Sequence, residues 1–378
     1  MAKTSAEQAP RPPGERIRLL VVTHSLTTGG AERFASNLAA ALDRRRFAPS
    51  LCLVTGRATY PLPDDVPAST LGYRGLHHLP RTLLRLRRLI AAERPDVVLS
   101  NVLATNCLTG GALSGLPDPP PWIARIGLAP ELGEPFHQRL WARRCYPLAR
   151  AVVSNSERML ASFVRSYPQT RGRCRSLPNP TDFECLDRRA AEPPSREARG
   201  EATLLAVGRL TRQKRPDVLL QALARVRRSV AARLWLCGDG PLRGRVRRWI
   251  GELGLEGAVE ILGFCDNPFA LMRQADLFVL TSDYEGLPNA LIEAQGLGLP
   301  AVATRCPYGP DEIVEDGVTG RLADPGDAAG LARAIVDLLG DAEARRRMAA
   351  AAARRARERY DTARVVPRWE DLLAEVAG

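Results

Sequence analysis

Short, nearly unbroken apolar runs alternate with longer amphipathic segments along most of the chain. Runs of this kind suit parallel strands buried on both faces, and the segments between them suit the helices that cover such a sheet. In the first half they predict strands at Ile17–Thr23, Ser50–Val54, Val97–Ser100, Trp122–Ile126 and Ala151–Ser154. Helices are predicted at Ala31–Leu42, Arg81–Glu93, Ala104–Leu113 and Glu157–Ser166. A stretch rich in Arg, Glu and Pro then breaks the pattern, as an interdomain linker would. Beyond it the alternation restarts, with strands at Leu204–Val207, Arg233–Cys237, Val259–Leu262, Leu277–Thr281, Ala301–Thr304 and Arg321–Ala323. The helices expected there are Pro216–Ser229, Leu242–Leu253, Asn289–Leu297 and Ala328–Leu339, followed by an Ala/Arg-rich helix at Ala342–Tyr360 and a last one at Thr362–Val376. The pattern therefore predicts an α/β chain of two doubly wound domains. A disordered lead spans 1–15, the first domain 16–185, the linker 186–201, the second domain 202–360 and a closing segment 361–378. Open sheets of this type bind ligands beyond the carboxyl ends of their strands, so the loops there are where chemistry is to be sought.

Composition narrows the class. With 378 residues, each half is long enough to bury its own core. No apolar run approaches the length of a bilayer span, and the polar, Pro-rich start lacks the apolar region of a signal peptide, so a cytoplasmic protein is expected. The eight cysteines are scattered singly, without metal-ligand spacing, and read as reduced, buried thiols. Residues 1–185 hold 25 Lys and Arg against 14 Asp and Glu, whereas 186–378 hold 29 against 28. The surplus in the first half points to an anionic partner there. Basic and apolar residues interleave over Arg81–Ile90, a pattern suited to an anionic membrane surface or to an ordinary solvated helix. Nucleic acid fits poorly, because that half has few aromatics and no nucleic-acid module. Only two lysines occur, Lys3 and Lys214, so Lys214 stands out as a place where a compact point charge was kept.

Three loops carry candidate chemistry. Thr27-Thr-Gly29-Gly30-Ala-Glu-Arg33 follows the first strand and opens a helix, where amides and the dipole favour an anion; alone it is equally a tight turn. It lacks the G-x-G-x-x-G spacing of a dinucleotide site, which argues against a nicotinamide enzyme. Gly208-Arg209 and Lys214 follow the first strand of the second domain, and two cations on one short loop can clamp a diphosphate. Thr281-Ser-Asp-Tyr-Glu285-Gly286-Leu287-Pro288-Asn289 opens the next candidate helix, with Glu293 one turn further in. Carboxylates on either side of a helix N-terminus can hold sugar hydroxyls, ribose hydroxyls and the phosphates between them.

Taken together, these segments resemble the family 4 retaining glycosyltransferases of the GT-B fold. The likeness extends through Ser154-Asn-Ser, Leu177-Pro-Asn-Pro, Cys237-Gly-Asp-Gly-Pro, Leu262-Gly-Phe264, Ala275-Asp-Leu-Phe, Gly298-Leu-Pro-Ala-Val, Cys306-Pro-Tyr-Gly-Pro-Asp-Glu-Ile and Asp316-Gly-Val-Thr-Gly. It implies two Rossmann-like domains facing a central cleft, with the last helix crossing back to the first domain. It also implies that Arg209, Lys214 and Glu285 are catalytic. Arg209 and Lys214 would hold the donor diphosphate, helped by Gly29, Gly30 and Gly208. Glu285 would orient the transferred sugar, with Gly286, Leu287, Pro288 and Asn289 beside it. Glu293 would hold the ribose, and Phe264 and Asn267 would border the base. No metal or other cofactor is expected. The implied donor is a UDP-hexose or UDP-N-acetylhexosamine, and the acceptor a saccharide or lipid-linked saccharide used in envelope polysaccharide synthesis, with the basic first half against the inner membrane face. Where many relatives carry a His, the Trp122–Gly127 segment has none, which leaves Arg125 or His24 as acceptor-side candidates. Arg215 stands where relatives often have Gly. The competing readings are an epimerase-like or phosphorylase-like enzyme of the same fold, or a non-catalytic homologue within an assembly complex.

Overall fold

The computed structural model describes residues 15–27, 29–56, 60, 62–132, 136–198 and 200–378. All of the expected lead except Glu15 lies outside them, as do Thr28 of the Gly-Gly loop and Arg199 of the expected linker. The chain forms two compact units, one reaching Pro180 and resuming at Ala363, the other spanning Thr181–Thr362.

The first unit runs β1 (Ile17–Thr23), α1 (Gly30–Ala41), β2 (Phe47–Leu53), β3 (Ala68–Thr70), α2 (Leu79–Glu93), β4 (Val97–Asn101), α3 (Leu103–Leu113), β5 (Trp122–Ile126), α4 (Phe136–Cys145), β6 (Ala151–Ser154), α5 (Glu157–Ser166) and β7 (Cys174–Ser176). Its seven strands form a parallel sheet in the order β3-β2-β1-β4-β5-β6-β7. The central strands β4, β5 and β6 are buried throughout, which is why their sequence is continuous apolar rather than alternating. The pattern missed β3 and β7 because both are three-residue edge strands with exposed positions.

The second unit runs α6 (Phe183–Ala190), β8 (Ala202–Val207), α7 (Pro216–Val226), β9 (Ala232–Cys237), α8 (Arg243–Glu252), β10 (Val259–Gly263), α9 (Pro268–Gln274), β11 (Leu277–Leu280), α10 (Asn289–Gly296), β12 (Ala301–Thr304), α11 (Pro310–Ile313), β13 (Gly320–Ala323), α12 (Ala328–Gly340) and α13 (Ala342–Tyr360). Its parallel sheet has the order β10-β9-β8-β11-β12-β13. The last helix, α14 (Thr362–Ala377), packs in the first unit: Val365, Trp369 and Leu373 share a buried cluster with Phe34 and Leu38 of α1. Trp369 donates to the Pro178 carbonyl (3.2 Å), and Glu370 accepts from Arg46 (2.9 Å) and from the Asp43 amide (2.7 Å).

Two expectations are corrected. The linker 186–201 begins inside α6, whose Phe183, Leu186 and Ala190 are core residues. Phe183 lies against Gly296 of α10 so closely that a Cβ there would collide with its ring. The polar residues between these buried positions disguised the helix. The cysteines are also not all thiols. Because β10 pairs beside β9, Cys237 and Cys265 meet as a disulfide with Cα atoms 5.9 Å apart.

Candidate functional site

The strand order of the second sheet reverses between β8 and β11, the strands that start its two halves. A crevice at the carboxyl ends of such neighbours is the usual ligand position. The loops leaving these strands carry the Lys214 and Glu285 segments and are bound tightly to each other. Lys214 Nζ lies 2.5 Å from Glu285 Oε1, which also accepts from the Ser282 hydroxyl at 2.6 Å. The Thr281 hydroxyl donates to the carbonyls of Lys214 (2.8 Å) and Arg215 (3.1 Å). The Gln213 amide donates to the Tyr284 carbonyl, and the Asp283 N–H to the Gln213 carbonyl, both at 2.9 Å. Arg215, in a left-handed conformation (φ 47°), reaches both Asp217 and Asp283 at 2.9 Å. The hydrogen bond to Asp217, reinforced by Asp283, raises its pKa further above an already basic value.

Glu285 is 7% exposed in its side chain and Lys214 23%, so this pair sits at the floor of the crevice rather than on the surface. Arg209 projects from the same loop into solvent, with no ion-pair partner among the described residues. Gly208, Arg209, Lys214 and Thr281 line a small pocket of about 30 Å³ there. A wider groove of about 480 Å³, between Arg273, Pro300 and Arg346, opens at the opposite end of the sheet, before β11 and β12, and touches none of these groups. The chemistry favours the smaller pocket, where the strand ends converge.

A third loop closes the site's other side. The Glu285 N–H donates to the Pro307 carbonyl at 2.8 Å, and Gly309 (φ 85°) lies against the Gly286 carbonyl, where a Cβ would collide. Burial, and then the charge of Glu285, push the Cys306 thiol up to about 12, which keeps it protonated and inert beside the pair. At the start of α10, Pro288 is the N-cap and has no N–H, and the Leu287 side chain is spent in the core. Glu293 follows one turn later and is 4% exposed. Phe264 is exposed on the loop after β10.

Two expected roles change. The Asn267 side chain caps α9 by accepting from the Ala270 amide (3.4 Å) and donates to Arg189 and Glu192 (2.8 Å each), so it is committed to the fold. Arg125 is 1% exposed and no acceptor-side group here. Its guanidinium donates to Asn101 (3.1 Å) and Asn179 (2.5 Å) and lies 4.1 Å over the Phe34 ring. Burial, only partly offset by Glu32, lowers its pKa to about 9. His24 is exposed at the end of β1, and its carbonyl accepts from the Thr55 amide (2.9 Å) and hydroxyl (3.0 Å). Gly29 is the N-cap of α1, and the Glu32 carboxylate folds over it. Of the residues that brace the pair, Gln213 was not singled out in the sequence; Arg215 was marked only as standing where relatives often have Gly, and Thr281, Ser282 and Asp283 only as members of the Thr281–Glu293 motif. Among the described residues, no cluster of His, Cys, Asp or Glu is arranged to hold a metal, and no helix is long and apolar enough to cross a membrane.

Two doubly wound units with a cation–carboxylate pair at a strand-order reversal define a GT-B type glycosyltransferase fold. Solved structures share it. HepE of Anabaena, in complex with UDP and glucose, superposes with a TM-score of 0.79 at 21% identity, covering 95% of this chain and 100% of its own. Sucrose-phosphate synthase of Thermosynechococcus elongatus gives 0.81 at 18% identity, covering 95% and 99%. The family model described as Glycosyltransferase Family 4 matches residues 28–184, and that described as Glycosyl transferases group 1 matches residues 187–355. The chain belongs to the family 4 glycosyltransferases. The lipopolysaccharide core biosynthesis glycosyltransferase LpsD of Rhizobium meliloti is 26% identical over 93% of this chain and 96% of its own. A Campylobacter jejuni N-acetylgalactosaminyltransferase, whose name specifies a PP-undecaprenol-linked acceptor, is 24% identical over 95% and 99%. LpsE of Rhizobium meliloti is 35% identical, but over 39% of this chain and 42% of its own.

Proposed function

We propose that this glycosyltransferase moves a hexose or N-acetylhexosamine from its UDP derivative, with retention, to a saccharide or lipid-linked saccharide during cell-envelope glycan synthesis, working at the inner face of the cell membrane. The observation that carries the donor side is the Lys214–Glu285 contact of 2.5 Å at the β8/β11 reversal, with Arg209 exposed on the same pocket and without an ion-pair partner among the described residues. Negative charge develops on the diphosphate as the sugar leaves, and preorganised cations at that point lower the barrier. Lys214 and Arg209 supply them, so no metal is required. Glu285, freed from Lys214 as phosphate arrives, accepts hydrogen bonds from sugar hydroxyls, while Glu293 takes the ribose and Phe264 borders the base. The departing diphosphate can take the acceptor's proton on the same face, which gives retention without a protein nucleophile. The names of the lipopolysaccharide and PP-undecaprenol relatives support the acceptor class.

Slow hydrolysis of a panel of nucleotide sugars, followed without acceptor, identifies the donor and tests the reading. A folded Lys214→Ala variant is expected to hydrolyse the preferred donor at least about a hundredfold more slowly, the scale of losing one preorganised donor of charge. Near-normal rates in that variant, or no turnover of any nucleotide sugar by the wild type, would overturn it.

A further inference from the structure

Nine large hydrophobic side chains are exposed among the described residues, and six of them, Leu76, Leu79, Leu84, Leu140, Trp141 and Leu148, lie on or next to α2 and α4 of the first unit. Along α2 the exposed residues Arg81, Leu84, Arg85 and Arg88 follow the i, i+3, i+4, i+7 spacing of a single helical stripe. Along α4 the exposed residues His137, Leu140, Trp141 and Arg144 repeat that spacing. Both helices pack on the same neighbour. Helix α3 lies beneath both, and a Cβ on its Gly111 would stand 3.3 Å from Leu83 of α2 and 3.3 Å from Trp141 of α4. Trp141 is held at one edge by its N–H bond to the Cys107 carbonyl (3.1 Å) while its ring stays 46% exposed. Within the two helices the arginines meet little opposing charge: α4 has no acidic residue, and the one acid of α2, Glu93, is bonded to the Ser50 hydroxyl at 2.8 Å.

We propose that α2 and α4 together form a platform that docks on an anionic lipid bilayer. Leucines and a tryptophan ringed by guanidinium groups match an interface where acyl chains lie just below phosphates. Single-stranded nucleic acid would call for a row of stacking aromatics, and this face has one. The platform rests on the function proposed above only in supposing a lipid-linked acceptor; its surface chemistry is independent of the donor site.

The test is co-sedimentation of the full chain with vesicles of equal parts phosphatidylcholine and phosphatidylglycerol, and with phosphatidylcholine alone. Binding is expected only to the anionic vesicles and is expected to weaken with salt. Removing Arg81, Arg88 and Arg144 together, each to Ser, should lower partitioning about a hundredfold, at about fivefold per arginine. L84S/L140S/W141S should lower it as well. The variant with Arg247, Arg248 and Arg354 replaced by Ser removes the same charge from exposed positions of the second unit and should bind like wild type. Wild-type chain left in the supernatant, including as a dimer that covers this face, overturns the platform. So does an equal loss in the second-unit variant. Donor hydrolysis measured without vesicles should be unchanged in all three variants. Absence of hydrolysis in the wild type would remove the proposed function and leave the vesicle result standing.

Discussion

Arg215 keeps a Cβ in a left-handed conformation (φ 47°, ψ 55°) between Lys214 and the first turn of α7. That conformation costs a non-glycine residue roughly 1–2 kcal/mol. The half-buried pairs with Asp217 and Asp283 return on the order of 0.5–1 kcal/mol each, so the two terms nearly cancel. What the arginine adds is position, because Asp283 lies two residues before Glu285 on the opposing loop. Arg215→Gly is therefore expected to leave stability within about 1 kcal/mol of wild type and yet to reduce kcat clearly with little change in KM; denaturant melts and donor kinetics measure the two separately. A fall in KM-limited binding alone would show that the clamp does not position the pair. Lys214 could be read from the sequence because it is the one lysine beyond the lead. The clamp could not, since 68 residues separate Arg215 from Asp283. Arg125 illustrates the opposite case: it was offered as the substitute where many relatives carry a His, but its neighbours in space bury it.

At the scale of elements, alternation located the central strands and long helices to within a residue or two at most ends. Elements with weak or mixed faces escaped it. Helix α4 leaves Leu140 and Trp141 in solvent, so its apolar residues do not trace a core stripe. Helix α6 hides three core residues in a polar, arginine-rich stretch. Helix α14 shows how strongly a terminal element can be bound to the core. Trp369 is fully buried, and its ring lies 5.0 Å from that of Phe34. Trp369→Ala should cost about 3–5 kcal/mol of stability, the usual toll for deleting a large buried aromatic. Chemical denaturation tests this, and a loss under about 1 kcal/mol would mean that α14 is peripheral to the first unit's core.

For the whole molecule, ligand linkage gives a direct check on the donor site. A nucleotide that binds only the folded chain stabilises it by RT ln(1+[L]/Kd), about 2.7 kcal/mol at a hundredfold excess over Kd. UDP is expected to raise the melting temperature more than GDP or ADP do, and Lys214→Ala to shrink that rise; equal shifts with all three nucleotides would remove the assignment of UDP. The sequence by itself determined the two doubly wound sheets, since continuous apolar strands alternating with amphipathic helices bury well in few other ways. It also marked Glu285, Glu293 and Lys214, whose residue types and places along the chain are local properties. Only the tertiary structure decided that Lys214 touches Glu285 across 71 residues. The order β10-β9-β8-β11 sends β9 and β10 to one side and sets β8 directly against β11. The same packing buried Arg125, committed Asn267 to a cap and left Leu140 and Trp141 in solvent, because burial depends on what the rest of the chain brings alongside.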